Sequence, residues 1–331
     1  MIEAPGQIMN KKKHHYISVA YLKAWCDVDG KVRLYRKDDP YKVIQQSPEN
    51  FGFHKYYYAQ PLPDGGKDHN SLEDLFSEYE SKWPVIVEKI RRQEDVNECI
   101  KDISAFIALQ RARVPATRDA IERMLADSVK AVARSMDAAG ELSPKPKGYE
   151  DILDHIEVAV DPHQSIHAMP DIILGIGQVM ETIGIGALIN NTDISFVTSD
   201  NPVIWFDPSV PEDQMQPYSI RKNGPILLLF PIAPDIMIIG DSSNHDQYSK
   251  YGFGFGNLSD PNKVEIMNRH ICRFAYEAVF SQGPGLEELV KQYADVSPVV
   301  KTQAIQTANG DFILPEYIWG PREPKPKWKR S

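Results

Sequence analysis

Hydrophobic residues in the first half of the chain recur mostly at the three- and four-residue intervals of α-helices. Residues 16–25 carry such a stripe and predict a short buried helix. A second helix is predicted from Ser71, with Asp74 in capping-box spacing, and a long helical stretch covers residues 98–139. Pro115 should divide that stretch, because proline lacks the N–H that a helix interior requires.

The second half has a different pattern, with short β-rich runs separated by Asn, Asp, Pro and Gly. These runs predict strands at 194–197, 203–206, 226–232, 236–239 and 274–280. The apolar region 172–189 is interrupted by polar residues and glycines, so it predicts a buried helix followed by a core strand. Two further helices are predicted at 260–272 and 285–293. The fold class is therefore α+β, with a helical N-terminal half packed on a mostly antiparallel, β-rich C-terminal half.

We expect one α+β unit over residues 1–331, without internal repeats. The mainly helical half should cover residues 1–142 and the β-rich half residues 149–320, joined by the Pro/Lys-rich linker 143–148. Residues 321–331 are rich in proline and lysine and predict a loose tail that stays apart from any site.

Composition narrows the class of protein. The 331 residues are 42% hydrophobic and 25% charged, as in an ordinary globular protein. The net charge of -9 argues against non-specific coating of nucleic acid, although a local basic groove stays compatible with it. Three widely spaced cysteines fit a reducing compartment, and the sequence pattern predicts neither a signal peptide nor a membrane span. We therefore expect a cytoplasmic protein that does not interact with membranes.

Two other patterns are interpreted as loops rather than as sites. His163 and His167 have the spacing of helical metal ligands, but prolines flank them. The run Gly252-x-Gly254-x-Gly256 lacks the preceding strand and the acidic partner of a dinucleotide-binding motif.

Adjacent histidines, His14 and His15, precede the first predicted helix in the run Lys-Lys-His-His-Tyr-Ile. An imidazole at neutral pH can act as an acid, a base or a metal ligand. Alternatively, one histidine caps the helix and the other is solvated. The sequence leaves both interpretations open.

The run Thr-Ser-Asp-Asn-Pro-Val at 198–203 follows a predicted strand. Such side chains bond readily to nearby backbone groups, so a turn explains all of them. A strand end also holds a carboxylate rigidly, as general bases and metal ligands require. Asp200 is thus a candidate catalytic residue and Asn201 a candidate substrate-binding residue.

Gln110 and Arg113 lie on one face of a predicted helix, together with the apolar Ile103 and Phe106. A buried arginine needs an anion or several acceptors. Arg113 could receive a phosphate or carboxylate in a forked contact. It could equally pair with an acidic residue of the chain, for which the candidates are Glu73, Glu80 and Asp200.

Three landmarks together carry a family resemblance: Lys-His-His-Tyr-Ile near the N-terminus, Phe-Ile-Ala-Leu-Gln-x-x-Arg at 106–113 and Thr-Ser-Asp-Asn-Pro-Val. In order and spacing they resemble the bacterial domain-of-unknown-function family numbered 4238. Ser18 stands where that family usually has proline, and Trp25 where it has phenylalanine. The resemblance implies a shared fold and one common pocket for the three landmarks, and it brings no established activity.

The leading functional prediction is a metal-assisted hydrolase of the phosphodiesterase or nuclease type, acting on nucleic acid or a nucleotide. A divalent metal (zinc, manganese or nickel) and an activated water would be held by His14, His15 and Asp200. The substrate would contact Gln110, Arg113 and Asn201. The alternative is a non-catalytic binding or sensor module, in which the same cluster is a polar core network or captures a small anion.

Overall fold

The chain folds into helices and mostly antiparallel sheets, which confirms the α+β class. It is seen in a computed structural model that describes residues 12–221, 224–307 and 310–326. No helix within those ranges is long and apolar enough to cross a membrane.

The long N-terminal helical stretch is divided as the sequence predicts. Pro115 is the first residue of its helix, and the extended backbone of Val114 ends the preceding helix. Asp260 accepts a hydrogen bond from the backbone N–H of Asn262 at 3.0 Å and so caps the helix predicted from residue 260. In the described ranges the α-helices are α1 (Val19–Leu22), α2 (Ser71–Arg91), α3 (Ile100–Arg113), α4 (Pro115–Ala138), α5 (Ile152–His155), α6 (Pro162–His167), α7 (Met169–Met180), α8 (His245–Tyr251), α9 (Pro261–Phe274) and α10 (Glu287–Gln292).

The strands include a long C-terminal hairpin that the hydrophobic pattern did not predict. Its two strands pair along their whole length. Polar residues occur at both odd and even positions of the first strand, Ser297–Thr307, so the sequence does not show the regular alternation of apolar and polar residues by which a strand is recognised. The strands that the structure describes are β1 (Lys13–His15), β2 (Val32–Arg36), β3 (Asp39–Gln46), β4 (Phe53–Lys55), β5 (Gln60–Pro61), β6 (Lys67–Asp68), β7 (Gly184–Asn190), β8 (Thr198–Ser199), β9 (Ile204–Phe206), β10 (Leu227–Ala233), β11 (Ile236–Asp241), β12 (Gly254–Leu258), β13 (Ala278–Ser281), β14 (Ser297–Thr307) and β15 (Gly310–Gly320).

Two larger sheets organise the molecule. The five-stranded sheet has the order β12-β7-β11-β10-β9, and only its β12–β7 pair is parallel. The four-stranded sheet has the order β3-β2-β13-β8 and is antiparallel. Strands β1 to β6 precede residue 142, so the N-terminal part is less purely helical than expected. The four-stranded sheet joins strands from both parts of the chain.

The glycine-rich run at 252–256 is not the loop that we expected. Its residues from Gly254 onward form β12, which pairs with β7. A Cβ atom on Gly186 of β7 would lie 2.7 Å from the carbonyl oxygen of Gly254. A glycine is therefore required at position 186 for the two backbones to approach.

Two other expectations are corrected. Residues 194–197 lie outside the sheets, because the backbone N–H of Val197 donates to the side chain of Asn268 at 3.0 Å instead of to a neighbouring strand. His163 and His167 belong to α6 rather than to a loop. This short helix is capped by Asp161, whose carboxylate accepts the N–H of His163 at 3.1 Å.

Aromatic side chains fix the N-terminal helices on the central sheet. Trp83 of α2 stacks on Phe106 of α3 with ring centroids 3.8 Å apart, and both rings contact Phe230 of β10. Tyr21 of α1 also stacks on Phe230, at 5.4 Å, and donates a hydrogen bond to the carbonyl of Pro231. This packing holds α1, which follows the first sequence landmark, and α3, which contains the second.

Candidate functional site

His14, the first histidine of the pair, is buried and hydrogen-bonded to the backbone. β1 pairs with β4, which places His14 opposite His54. His14 is fully buried, and its Nδ1 accepts the backbone N–H of Tyr58 at 2.8 Å. Its ring also stacks on the Tyr58 ring, with centroids 5.7 Å apart. The imidazole therefore holds the segment after β4 in place.

The polar residues of α3 form a network that reaches the histidine strand. Arg113 donates to the carboxylate of Glu80 at 2.6 Å and to the Gln110 side-chain oxygen at 2.7 Å. Gln110 in turn donates to the carbonyl of Tyr16 at 3.0 Å and accepts the N–H of Ser18 at 3.5 Å. Because Arg113 and Gln110 are buried, this network ties α3 to the chain between β1 and α1.

The second histidine lies beside that network. Burial lowers the pKa of His15, the Glu80 carboxylate opposes this change, and the Arg113 guanidinium adds to it. The Tyr58 hydroxyl lies within hydrogen-bond distance of the carbonyls of both His15 and Arg113, at 3.3 and 3.4 Å. The structure thus brings His15, Gln110 and Arg113 together, as a common site for the first two landmarks requires.

Asp200 lies outside this network and is fully engaged by the backbone. One carboxylate oxygen accepts the N–H of Tyr276 at 2.8 Å, and the other accepts those of Glu277 at 2.6 Å and Ala278 at 3.3 Å. Burial raises the pKa of Asp200 to about 6, against the lowering effect of these donors and of the Lys37 ammonium. The carboxylate fixes the loop between α9 and β13.

Lys37 is a buried cation, and its charge lowers the pKa of the Asp200 carboxylate. Its side chain is 4% exposed, and its Nζ lies 2.5 Å from the carbonyls of both Ala275 and Val296. The Arg273 carbonyl and the Ser297 hydroxyl complete the set, at 3.4 and 3.3 Å. Burial lowers the pKa of Lys37 to about 8, although Asp200 favours the charged form. Two buried groups of opposite charge that shift each other's pKa values are a recurrent feature of functional sites.

A pocket of about 350 Å³ opens beside this pair. Its buried floor includes Lys37, Asp200 and Ser297, and exposed charged residues line its rim: Arg36, Asp38, Asp295 and Arg322. Tyr16 and Tyr276 are among the lining side chains. Burial, and next the charge of Asp200, raise the pKa of Tyr16. Because the Tyr16 carbonyl is bound by Gln110 and its side chain lines the pocket, Tyr16 connects the α3 network with the Asp200 landmark.

Asn201 is directed into the core. Its side-chain nitrogen donates to the Tyr218 hydroxyl at 2.5 Å and to the Phe274 carbonyl at 2.8 Å. It is fully buried and does not line the pocket beside Asp200. The three expected metal-binding residues, His14, His15 and Asp200, do not form a common group either. In the described part of the chain, no three or more His, Cys, Asp or Glu side chains are grouped to hold a metal ion.

The C-terminal segment differs from the expected loose tail, since Pro321 and Arg322 line the pocket. Arg322 lines the pocket and forms an ion pair with Glu277. Lys325 donates to the carboxylates of Asp119 and Glu122, the latter at 2.7 Å. Charge pairing therefore holds a segment whose composition offers little apolar surface to bury. Trp328 and the rest of residues 327–331 lie outside the described ranges.

Sequence reasoning missed Lys37 and the pocket around it. Lys37 belongs to the charged run Arg-Lys-Asp-Asp, which predicts an exposed turn. Its acceptors lie more than 230 positions away, so no local pattern could reveal them. Tyr16, by contrast, belongs to the first landmark and could have been noticed as the residue that follows the histidines.

Comparison with known proteins agrees with the landmarks. The family described as "Protein of unknown function (DUF4238)" matches residues 13–284, which include Tyr16, Lys37, Asp200 and Tyr276. Neither the curated proteins nor the solved structures contain a match to the chain. Because the family match covers most of the sequence, the chain belongs to the DUF4238 family.

Proposed function

We propose that the protein is a binding module that takes a small, amine-bearing molecule into the pocket beside Lys37 and Asp200. The observation that carries this proposal is a pair of unused polar groups. The Tyr16 hydroxyl and the Asp295 carboxylate line the pocket, and neither has a hydrogen-bond or ion-pair partner among the described residues. Asp295 is exposed, and a ligand would replace water as the partner of both groups.

The other charges of the pocket are already balanced. Arg36 binds Asp38 in a forked contact, and Arg322 pairs with Glu277. Lys37 and Asp200 are held by backbone groups at the floor. Within the described ranges Asp295 is therefore a lining charge without a counter-charge, and it attracts a cation. A protonated amine would bind Asp295 by a charge-assisted hydrogen bond and could pack against the face of Tyr16.

The size of the pocket supports a small metabolite rather than a polymer. Its volume of about 350 Å³ lies near the lower end of the range for small-molecule sites, which is roughly 300–1,000 Å³. Its lining combines charged rims with the apolar side chains of Leu34, Phe51 and Phe280. Such a lining suits a ligand with an amine and a short hydrocarbon part.

We expect primary amines, screened as a panel of amino acids and diamines at pH 7, to bind with saturable heat in calorimetry. Dicarboxylates of matched size should not bind. Asp295→Asn should weaken binding at least about tenfold, equivalent to about 1.4 kcal/mol, because the counter-charge is lost. The matched control is Asp246→Asn, at an exposed aspartate on α8, and it should leave binding unchanged. Equal affinity in the two variants, or no amine that binds, would refute the proposal.

The second candidate function is the metal-assisted hydrolase on nucleic acid or a nucleotide, and one observation favours it. The Nε2 atom of His15 is buried and has no hydrogen-bond partner among the described residues. A metal ion would use this nitrogen, with the Glu80 carboxylate close enough to affect the His15 pKa. Arg113 would then face a phosphate only by giving up its bond to Glu80.

That candidate predicts saturable binding of zinc, manganese or nickel by calorimetry, abolished in His15→Ala. His155→Ala serves as the control, because His155 is an exposed histidine paired with Asp151. Absence of metal-dependent heat in the unmodified protein, or equal heats for the two variants, would exclude a metal site at His15.

A further inference from the structure

Three arginines of α3 and α4 are almost fully buried in the described structure, and their surroundings differ. Arg113 has the Glu80 carboxylate at 2.6 Å. Arg118 donates through all three of its nitrogens, at 2.6–3.0 Å, to acceptors on Tyr57, Pro162 and Ser165. Both arginines thus meet the requirement of a buried guanidinium for several acceptors or a counter-charge.

Arg111 lacks such surroundings. It is 3% exposed, and its guanidinium donates to one side chain, the hydroxyl of Thr117. No carboxylate in the described ranges forms an ion pair with it, and its Nε is buried without a hydrogen-bond partner. The Tyr218 ring lies 4.0 Å from its central carbon, which offsets part of the cost of burial. Among the described residues no carboxylate compensates the positive charge of Arg111. Burying an unpaired charge costs free energy.

Two more buried polar atoms that have no partner in the described part of the chain belong to the same cluster. They are the indole Nε1 of Trp205 and the side-chain oxygen of Asn201. The Trp205 ring centroid lies 5.5 Å from the Arg111 guanidinium and 4.7 Å from the Tyr218 ring. The Tyr218 hydroxyl is bonded to Asn201, and the Tyr218 backbone has a left-handed φ of 56°. Three polar atoms that have no partner among the described residues thus belong to one cluster, which contains the Arg111 cation.

We propose that a small monovalent inorganic anion, of the size of chloride or bromide, binds inside this cluster beside Arg111. It would accept hydrogen bonds from the Arg111 Nε and the Trp205 Nε1 and would supply the missing negative charge. The side-chain oxygen of Asn201 is an acceptor and would instead bind a water molecule next to the anion. This site is separate from the amine pocket, because none of Arg111, Trp205 and Tyr218 lines that pocket.

The first test is anion-dependent thermal stability of the full-length protein at constant ionic strength. Replacing gluconate, a large organic anion, by chloride or bromide should raise the melting temperature by roughly 3–4 °C at a hundredfold excess over Kd. Arg111→Met should abolish this increment. Arg113→Met is the matched control: it removes a carboxylate-paired arginine two residues away and should retain the increment, whatever its own stability.

A second measurement keeps the proposal testable if Arg111→Met does not fold. Crystals of the unmodified protein grown in bromide should show an anomalous peak at hydrogen-bond distance from the Arg111 Nε. Water in the cluster, with no anomalous peak from bromide, would overturn the proposal. So would a melting temperature that is the same in chloride, bromide and gluconate.

Discussion

Replacing Lys37 by methionine is expected to lower the free energy of unfolding by about 3–5 kcal/mol, the usual cost of removing one partner from a buried charged cluster. The substitution keeps most of the apolar stem but removes the ammonium. The carbonyls of Ala275 and Val296 then lose a donor at 2.5 Å, and Asp200 loses its nearby counter-charge. Urea unfolding measured at pH 7 checks this value.

Lys31→Met is the appropriate control for this measurement. Lys31 is exposed and directly precedes β2, the strand that Lys37 directly follows. It should leave the unfolding midpoint essentially unchanged. A loss below about 1 kcal/mol for Lys37→Met would show that water replaces the ammonium, and that Lys37 is not a structural element of the pocket floor.

Asp200→Asn is expected to lower the free energy of unfolding by about 3 kcal/mol, because one carboxylate oxygen becomes a donor. Both oxygens of Asp200 accept backbone N–H groups, so either orientation of the amide places its NH₂ against at least one of these donors. The purely catalytic role considered from the sequence predicts the opposite result, lost activity with little change in stability. Urea unfolding at pH 7 therefore distinguishes the two roles.

Asp241→Asn provides the comparison for Asp200→Asn. Asp241 accepts the N–H of Ser243 with one oxygen at a partly exposed turn, and asparagine can keep that bond. The loss of unfolding free energy in Asp241→Asn should be small.

The double variant Lys37→Met/Asp200→Asn should lose less stability than the sum of the single variants if the two buried charges interact. Full additivity would contradict such an interaction.

The sequence predicted local features well where the cause was local. The break at Pro115 and the cap at Asp260 depend on one proline and one carboxylate beside the backbone that each affects. The convergence of His15 with Arg113 could be anticipated because the landmarks occur together in one family. The sequence could not show that Asp200 binds three backbone N–H groups, since these belong to residues more than 75 positions later.

The remaining errors also have physical causes. The run from Gly252 to Gly256 is interpreted as a loop because it lacks the strand and the acidic partner of a dinucleotide-binding motif, whereas Gly254 pairs with Gly186 in the sheet. The Gly254 carbonyl lies so close to position 186 that a Cβ atom there has no room. The composition of residues 321–326 predicts a loose tail because it offers little apolar surface, whereas Arg322 and Lys325 are held by carboxylates. Hydrophobic patterning cannot detect contacts of that kind, because they depend on charges brought together by the fold.

The four-stranded sheet has a consequence for how the protein acquires its site during synthesis. Strand β2 finds its neighbour β13 roughly 240 positions later in the chain, and the carbonyls around Lys37 extend to Val296. Contacts of such sequence separation form late, because a long loop must close before any of them can stabilise the chain. On the ribosome, the segment with Tyr16 and Lys37 emerges long before its partners exist. The buried ammonium must therefore stay hydrated until the last quarter of the chain arrives to enclose it.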